Sequence, residues 1–306
     1  MLSRRWCPLL KQFHQLPYRI AAFLPSSRRR ISNNLCDVTT EPKVMPDTTK
    51  LKGKNVAYVG GYGSIGSQCC KQLTSRGVKY LTILDLEDCP SISAELSKSN
   101  PDLTIDFMRF NVTDNRKTIQ RTLKKAYMRM GSIDVLINGG AIINERKPKL
   151  TIQTNLLGLI QTTLASIQLM SLAEGGKGGL IVNVSSVLGL EPGPFIAVYS
   201  ATKHGVIGFT RACAHEHYYQ RTGIAHIAIC PGLTETRSMS CVKGMDTFDY
   251  SRPISDEFLA MKKQNPIECA KNMMIAMENG ENGSVWIIDS GKLKKAEMKT
   301  YWNVSI

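Results

Sequence analysis

No apolar run in the sequence approaches the roughly 18 residues that a membrane-spanning helix requires, so a soluble protein without a membrane span is expected. The nine cysteines (Cys7, Cys36, Cys69, Cys70, Cys89, Cys213, Cys230, Cys241 and Cys269) include no C-x-x-C pair and no His/Cys ligand spacing. That excludes a zinc framework, and no metal site is expected. The thiols read as reduced, intracellular and packed like small hydrophobes. Acids are scarce, 25 Asp+Glu against 39 Lys+Arg, for a net charge of +14. No zinc-finger, homeodomain or RNA-recognition signature accompanies that charge, so no nucleic-acid partner is expected. No repeat recurs at solenoid spacing. With 42% hydrophobic and 21% charged residues the composition is globular, neither collagenous nor disordered. Sequons begin at Asn111, Asn183, Asn282 and Asn303, the first two in or beside apolar strand-like runs that leave no room for a glycan.

The chain has no acid before Asp37, while Arg4, Arg5, Lys11, Arg19, Arg28, Arg29 and Arg30 carry half of the net charge. On a helical projection Leu2, Trp6, Leu9, Leu10, Phe13, Leu16 and Ile20 gather within a sector of ~120°. The cations at 4, 5, 11 and 19 fall opposite. An acid-free, Arg-rich amphipathic start resembles a mitochondrial presequence, and Pro17 interrupts it. The alternatives are a basic tail or a second start at Met45. Residues 1–50 are read as an extension outside the fold, and the location as cytoplasmic or mitochondrial matrix, not secreted.

From Lys54 onward, short β-branched runs alternate with amphipathic stretches, which implies right-handed βαβ units and a parallel sheet. The strand candidates are Asn55–Gly60, Tyr80–Asp85, Thr104–Phe110, Ile133–Asn138, Leu180–Ser185, Ile224–Cys230 and Val285–Asp289. The helix candidates are Ser64–Arg76, Asp114–Met130, Leu150–Leu172, Tyr199–Arg221 and Ile267–Asn279. The expected architecture is α/β, a single Rossmann-type doubly wound domain over 51–306 with about seven parallel strands flanked by helices. Its ligand should sit beyond the carboxyl ends of the strands.

The first strand runs into Gly60-Gly61-Tyr62-Gly63-Ser64-Ile65-Gly66, which satisfies G-x-G-x-x-G at Gly61, Gly63 and Gly66. Alone this pattern is weak, but a strand precedes it, a helix follows, and Asp85 ends the second strand 22 residues beyond Gly63. Glycine lets main chain approach a pyrophosphate, and the helix amino end attracts it. Asp85 would accept bonds from the adenosine ribose hydroxyls and repel a 2′-phosphate. Leu86, Glu87 and Asp88 bring no compensating cation, so NAD is expected over NADP.

Ser186, Tyr199 and Lys203 stand at spacings of 13 and 4. Residues i and i+4 share a helix face, so the Lys203 ammonium can lie beside Tyr199. That charge favours the phenolate and should lower the phenol toward working pH, as a general base requires.

These residues resemble the short-chain dehydrogenase/reductase family over nearly all of 50–306, and most closely its insect-type alcohol dehydrogenase branch. The likeness lies in Asp134-Val135-Leu136-Ile137-Asn138-Gly139, in 178–187, in 205–211 and in Asn282-Gly283-Ser284-Val285-Trp286. The resemblance implies that Tyr199 takes the hydroxyl proton, that Ser186 orients the same oxygen, and that both touch the substrate. Lys203 would hold the nicotinamide ribose, and Asn155 a water that passes the proton out. Asn111 and Val112, Asn138, Gly139 and Gly140, and Pro231, Gly232, Leu233 and Thr236 would border the cofactor, with Thr236 on its carboxamide. The bland alternatives are a helix-bending amide at Asn155, a strand-end turn residue at Ser186 and a helix cap at Thr236.

The resemblance further implies a homodimer through the Leu150–Leu172 and Tyr199–Arg221 helices. Four positions depart from the family pattern: Ser64 near the phosphates, Asn111 for Asp, Ala141 ending Asn138-Gly139-Gly140-Ala141, and Cys230 before Pro-Gly. The expected function is NAD-dependent oxidation of a secondary alcohol to a ketone, or a primary one to an aldehyde. The alternatives are a dehydrogenase for a retinoid, prostaglandin or other lipid alcohol, and a weakly catalytic NAD-binding relative with a storage or regulatory role. Substrate choice is assigned to 237–264, with Met239, Met245, Phe248, Tyr250, Phe258, Leu259 and Met261, and to Ile142, Ile143, Leu188 and Ile196 as further walls.

Overall fold

The computed structural model describes residues 51–240 and 244–301. The 1–50 extension, Cys241 and Asn303 lie outside the described residues. One sheet organises the rest. Its strands are β1 (Asn55–Val59), β2 (Tyr80–Asp85), β3 (Thr104–Arg109), β4 (Val135–Asn138), β5 (Gly179–Val184), β6 (Ile224–Pro231), β7 (Val285–Asp289) and β8 (Lys292–Lys295), in the order β3-β2-β1-β4-β5-β6-β7-β8. All neighbours are parallel except β7 and β8. The strand order turns back between β1 and β4, which places the switch-point crevice beside the glycine turn.

The central strands are continuous apolar runs because both of their faces are covered. In β1, Val56 and Tyr58 enter one core while Ala57 and Val59 enter the other. Helices α1 (Ser64–Ser75), α2 (Pro90–Ser99), α3 (Arg116–Met130), α4 (Pro148–Ile152), α5 (Leu159–Met170), α6 (Ala197–Cys213), α7 (Glu216–Thr222), α8 (Arg237–Ser240), α9 (Arg252–Ala260) and α10 (Pro266–Asn279) complete the described elements. The first core joins α1 and α10 to the sheet through Cys69, Cys70, Leu73, Met273 and Met277. The second joins α3 and α5 to the opposite face through Ile119, Leu123, Ala126 and Ala165.

The expected architecture holds, with one strand more than seven. β8 reads Lys-Leu-Lys-Lys, too short and charged to signal a strand, and it pairs antiparallel at the edge. Ser290 and Gly291 make its hairpin possible, with φ of 51° and 74°; positive φ at both central residues is what a type I′ turn needs. Two helices expected as continuous are broken. Leu150–Leu172 is interrupted by a π-helical turn, Gln153–Gly158. Tyr199–Arg221 divides at Ala214 and His215, where His215 caps α7 by accepting from His217 N. Among the described residues no helix is long and apolar enough to cross a membrane.

A buried polar chain locks the sheet to its helices. Asn138 Nδ2 donates to Asn183 Oδ1 (2.9 Å) and to Thr163 Oγ1 (3.0 Å), and Asn183 Nδ2 donates to Thr210 Oγ1 (3.0 Å). The Asn183 sequon is therefore fully buried inside β5. Asn183→Ala removes the partner of both Asn138 and Thr210 from a buried network, so urea unfolding should show a loss of about 3 kcal/mol. A loss under about 1 kcal/mol would mean that the network adds little.

Candidate active site

The carboxyl ends of the parallel strands open into a cleft of about 900 Å³. Gly60, Gly63, Ser64, Ile65 and Gly66 form one wall. Bare main chain is required there: Gly60 has φ 79°, and a Cβ on Gly66 would stand 2.3 Å from the Gly60 oxygen. Gly63 gives α1 no side-chain cap and its first turn has no acid. The positive end of the helix is thus left for an anion, which fits a pyrophosphate. Gly61 does not line the cleft; a Cβ there would meet Ile83 Cγ2 at 2.9 Å, so it serves packing.

Asp85 lies on the cleft wall, where Oδ2 accepts from Tyr62 N (2.9 Å) and Oδ1 from Leu86 N (2.8 Å). Glu87 and Asp88 line the same end, and among the described residues the only cations along the cleft are Lys203 and Arg237. Asn111 and Val112 follow β3 in the lining. The Asn111 oxygen is taken up by Thr113, accepting from its N (3.0 Å) and Oγ1 (2.8 Å). Gly139 and Gly140 reach the cleft after β4, whereas Asn138 turns into the buried polar chain.

Ser186, Tyr199 and Lys203 meet on the opposite side of the switch point. Ser186 follows β5, caps the short turn 187–189 by accepting from Leu188 N (3.1 Å), and donates to Pro231 O (3.4 Å). Both the turn role and a place in the cleft lining therefore belong to one residue. Lys203 Nζ donates to Val184 O (2.9 Å) and stands 5.5 Å from the Tyr199 ring centre. Burial pushes the Tyr199 phenol up to about 12, against a lowering by Ser186. Burial likewise pushes the Lys203 ammonium down to about 8. The expected lowering of Tyr199 by Lys203 is therefore not met in the protein alone: burial of the phenol dominates, and Lys203 is not among the groups that shift it.

Asn155 lies behind the cleft, in the π-helical turn. Its Oδ1 accepts from Ile142 N and its Nδ2 donates to Ile142 O, both at 2.8 Å. Pro231, Gly232, Leu233 and Thr236 line the cleft beyond β6. At Gly232 a Cβ would lie 1.8 Å from Asp289 Oδ1, so any larger residue would displace that side chain. Thr236 Oγ1 accepts from Met239 N (3.3 Å), so it is also the cap of α8.

The sequence profile of the short chain dehydrogenases matches residues 54–246. Alcohol dehydrogenase 1 of Ceratitis cosyra is 41% identical over 252 residues, covering 82% of this chain and 98% of that protein. Fat body protein 2 of Drosophila melanogaster is 36% identical over 252 residues, with coverage of 82% and 98%. The crystal structure of levodione reductase shares the fold with a TM-score of 0.67 at 24% identity, covering 78% of this chain and 97% of that one. The chain belongs to the short-chain dehydrogenase family. Within the family it falls with the insect-type alcohol dehydrogenases, and it is an oxidoreductase of the short-chain dehydrogenase type.

Against this dehydrogenase frame, Ser64 gains a definite partner. Arg237 N donates to Ser64 Oγ (3.1 Å), and Arg237 Nη2 to Tyr62 O (3.0 Å), tying the segment after β6 to the glycine turn. Nothing in local pattern announces Arg237, because its partners lie 173 and 175 residues away. The apolar walls were partly legible: Ile142, Ile143, Leu188, Ile196, Met239 and Phe258 line the cleft. Met245, Leu259 and Met261 do not line it, and Phe248 and Tyr250 stack on each other outside it, 5.1 Å apart.

Lys203 gives a pH signature. A buried ammonium lowered to about 8 from an ordinary 10.5 is held by the folded state with fewer protons than by the unfolded chain between those values. The penalty is full below pH 8 and fades as pH rises toward 10.5. Wild-type stability should therefore climb relative to Lys203→Met by about 2 kcal/mol between pH 7 and 9.5, read by urea unfolding. A constant difference would mean that Lys203 is not desolvated.

Proposed function

We propose that the protein oxidises an alcohol, secondary to ketone or primary to aldehyde, with NAD as hydride acceptor. The observation that carries the reading is the meeting of Ser186, Tyr199 and Lys203 in the cleft that also contains the glycine turn and Asp85. Ser186 Oγ hydrogen-bonds the substrate hydroxyl and Tyr199 Oη accepts its proton. Lys203 holds the nicotinamide ribose and keeps positive charge beside the phenolate. Bound NAD supplies the hydride acceptor and, through its cationic ring, a second charge that favours the phenolate. Asn155 fixes the Ile142 segment through both atoms of its amide and holds the water that passes the proton out.

Preference for NAD is supported by the three acids Asp85, Glu87 and Asp88 along the adenosine end, which oppose a 2′-phosphate. Thr236 and the main chain at Leu233 take the carboxamide, and Gly60 to Gly66 take the pyrophosphate. Ile142, Ile143, Leu188, Ile196, Met239 and Phe258 suit an alcohol with apolar substituents.

We also propose a homodimer through α4, α5 and α6. Leu150 and Ile152 on α4, Leu157 on the π-helical turn and Leu164 on α5 are exposed at 39%, 46%, 44% and 44%, a density of large apolar side chains that a partner copy would cover.

The deciding experiment measures NADH formation with NAD and with NADP across short secondary alcohols, retinoids and hydroxylated lipids. Turnover with NAD that vanishes in Tyr199→Phe, while NAD affinity stays within about threefold, is the expected result. Surviving activity in Tyr199→Phe would place the base elsewhere. Silence of the wild type, with NAD still bound, would favour the weakly catalytic relative. Light scattering after size exclusion should give twice the chain mass, and Leu157→Glu should halve it; a monomeric wild type at micromolar concentration refutes the dimer.

A further inference from the structure

The helix that carries Tyr199 has no cap of its own. Helix starts favour Ser, Thr, Asp or Asn at the cap position, where a side-chain oxygen satisfies the free amides of the first turn. Here that position is Ile196, which makes no such bond. Its side chain is 1% exposed and lines the cleft together with Phe195. A polar residue there would breach the apolar wall.

The amides are satisfied from two distant segments instead. Ala197 N donates to Thr247 Oγ1 (2.9 Å), Val198 N to Glu145 Oε2 (2.8 Å) and Tyr199 N to Glu145 Oε1 (2.8 Å). Ser200 N begins the helical ladder by donating to Ile196 O (3.0 Å). Every free amide of the first turn thus has a partner, and none of these partners belongs to the helix or its flank. Glu145 is 7% exposed, and its negative charge lies at the positive end of α6. Thr247 is in turn fixed: its N donates to Phe195 O (2.8 Å), and its hydroxyl reaches both Glu145 Oε2 (2.9 Å) and Phe195 O (3.0 Å). Two residues further on, Asp249 pairs with Arg146, the neighbour of Glu145.

We propose that Glu145 and Thr247 form a cap supplied in common by the loop after β4 and the 237–264 segment, and that this cap sets the position of Tyr199. Glu145 is then a positioning residue, and so is Thr247. The segment that helps to enclose the substrate also holds the first turn of the helix bearing the base, so order at the pocket wall and placement of the phenol are one event. The turnover consequence rests on the alcohol dehydrogenase reading; the cap itself does not.

The test uses the full-length protein and the variants Glu145→Gln, Thr247→Val and Thr247→Ser. Amide hydrogen exchange across 197–199 should accelerate roughly tenfold in Glu145→Gln and Thr247→Val, as expected for a lost cap. It should stay near wild type in Thr247→Ser, which keeps the hydroxyl. With an accepted alcohol, kcat should fall by roughly tenfold to a hundredfold in the first two variants, while the KM for NAD changes less than about twofold. Thr247→Ser should restore kcat. Unchanged exchange in Glu145→Gln, or a Thr247→Ser as impaired as Thr247→Val, overturns the cap. Accelerated exchange with intact kcat overturns its positioning role. If Glu145→Gln does not fold, the two Thr247 variants decide alone. A wild type without turnover on any alcohol would count against the dehydrogenase reading, and exchange would still decide the cap.

Discussion

The site depends on how α6 is pinned to the end of β5. Ser185 Oγ donates to the Lys203 carbonyl (2.8 Å), and Lys203 Nζ donates back to the Val184 carbonyl (2.9 Å). This reciprocal pair joins consecutive residues of a strand end to a single helical residue, with both polar ends removed from water. Gly189 packs over it, where a Cβ would stand 2.5 Å from Ser185 Oγ and 2.7 Å from Lys203 O. Ser186, Tyr199 and Lys203 therefore have no independent freedom: moving one drags the strand end, the turn 187–189 or the helix. The desolvation that raises the phenol and lowers the ammonium is the cost of that rigidity, and preorganised groups are what proton transfer benefits from.

Much of this was legible in the sequence because the information is local. Strand β2 has the expected bounds, Tyr80–Asp85, and β7 has the expected Val285–Asp289, since β-branched runs bounded by turn residues leave few alternatives. The glycine turn, Asp85, Ser186, Tyr199 and Lys203 converge because each sits at the carboxyl end of a strand or at the start of the helix that follows, and a doubly wound sheet brings those ends together. What escaped is long-range. Asn138 reads as a cleft residue from its motif, yet its amide is claimed by Thr163 and Asn183. The π-helical turn leaves no mark in an apolar pattern that is continuous through Leu150–Leu172. The pairing of Glu145 with the first turn of α6 spans more than fifty positions. The direction of the Tyr199 shift depends on how completely the phenol is buried, which spacing alone does not reveal.

Three of the four departures from the family pattern acquire neighbours once the chain is folded. Ser64 meets the main chain of Arg237. Asn111 makes a local turn with Thr113. Cys230 is fully buried next to Ser185 and Lys203, and burial raises its thiol to about 12, so it behaves as a neutral filler. None of the three takes a reacting group away from the cleft.

The short strand β8 closes the sheet with Lys292, Lys294 and Lys295 along its edge, the last paired with Glu281. An open sheet edge is a template for a foreign strand, and this one meets any identical edge with like charge. The device works through solvent, so its range shrinks to about 8 Å at physiological ionic strength. The lysines guard against edge-to-edge polymerisation at close approach only, and concentrated salt would remove a colloidal protection that the fold itself does not supply.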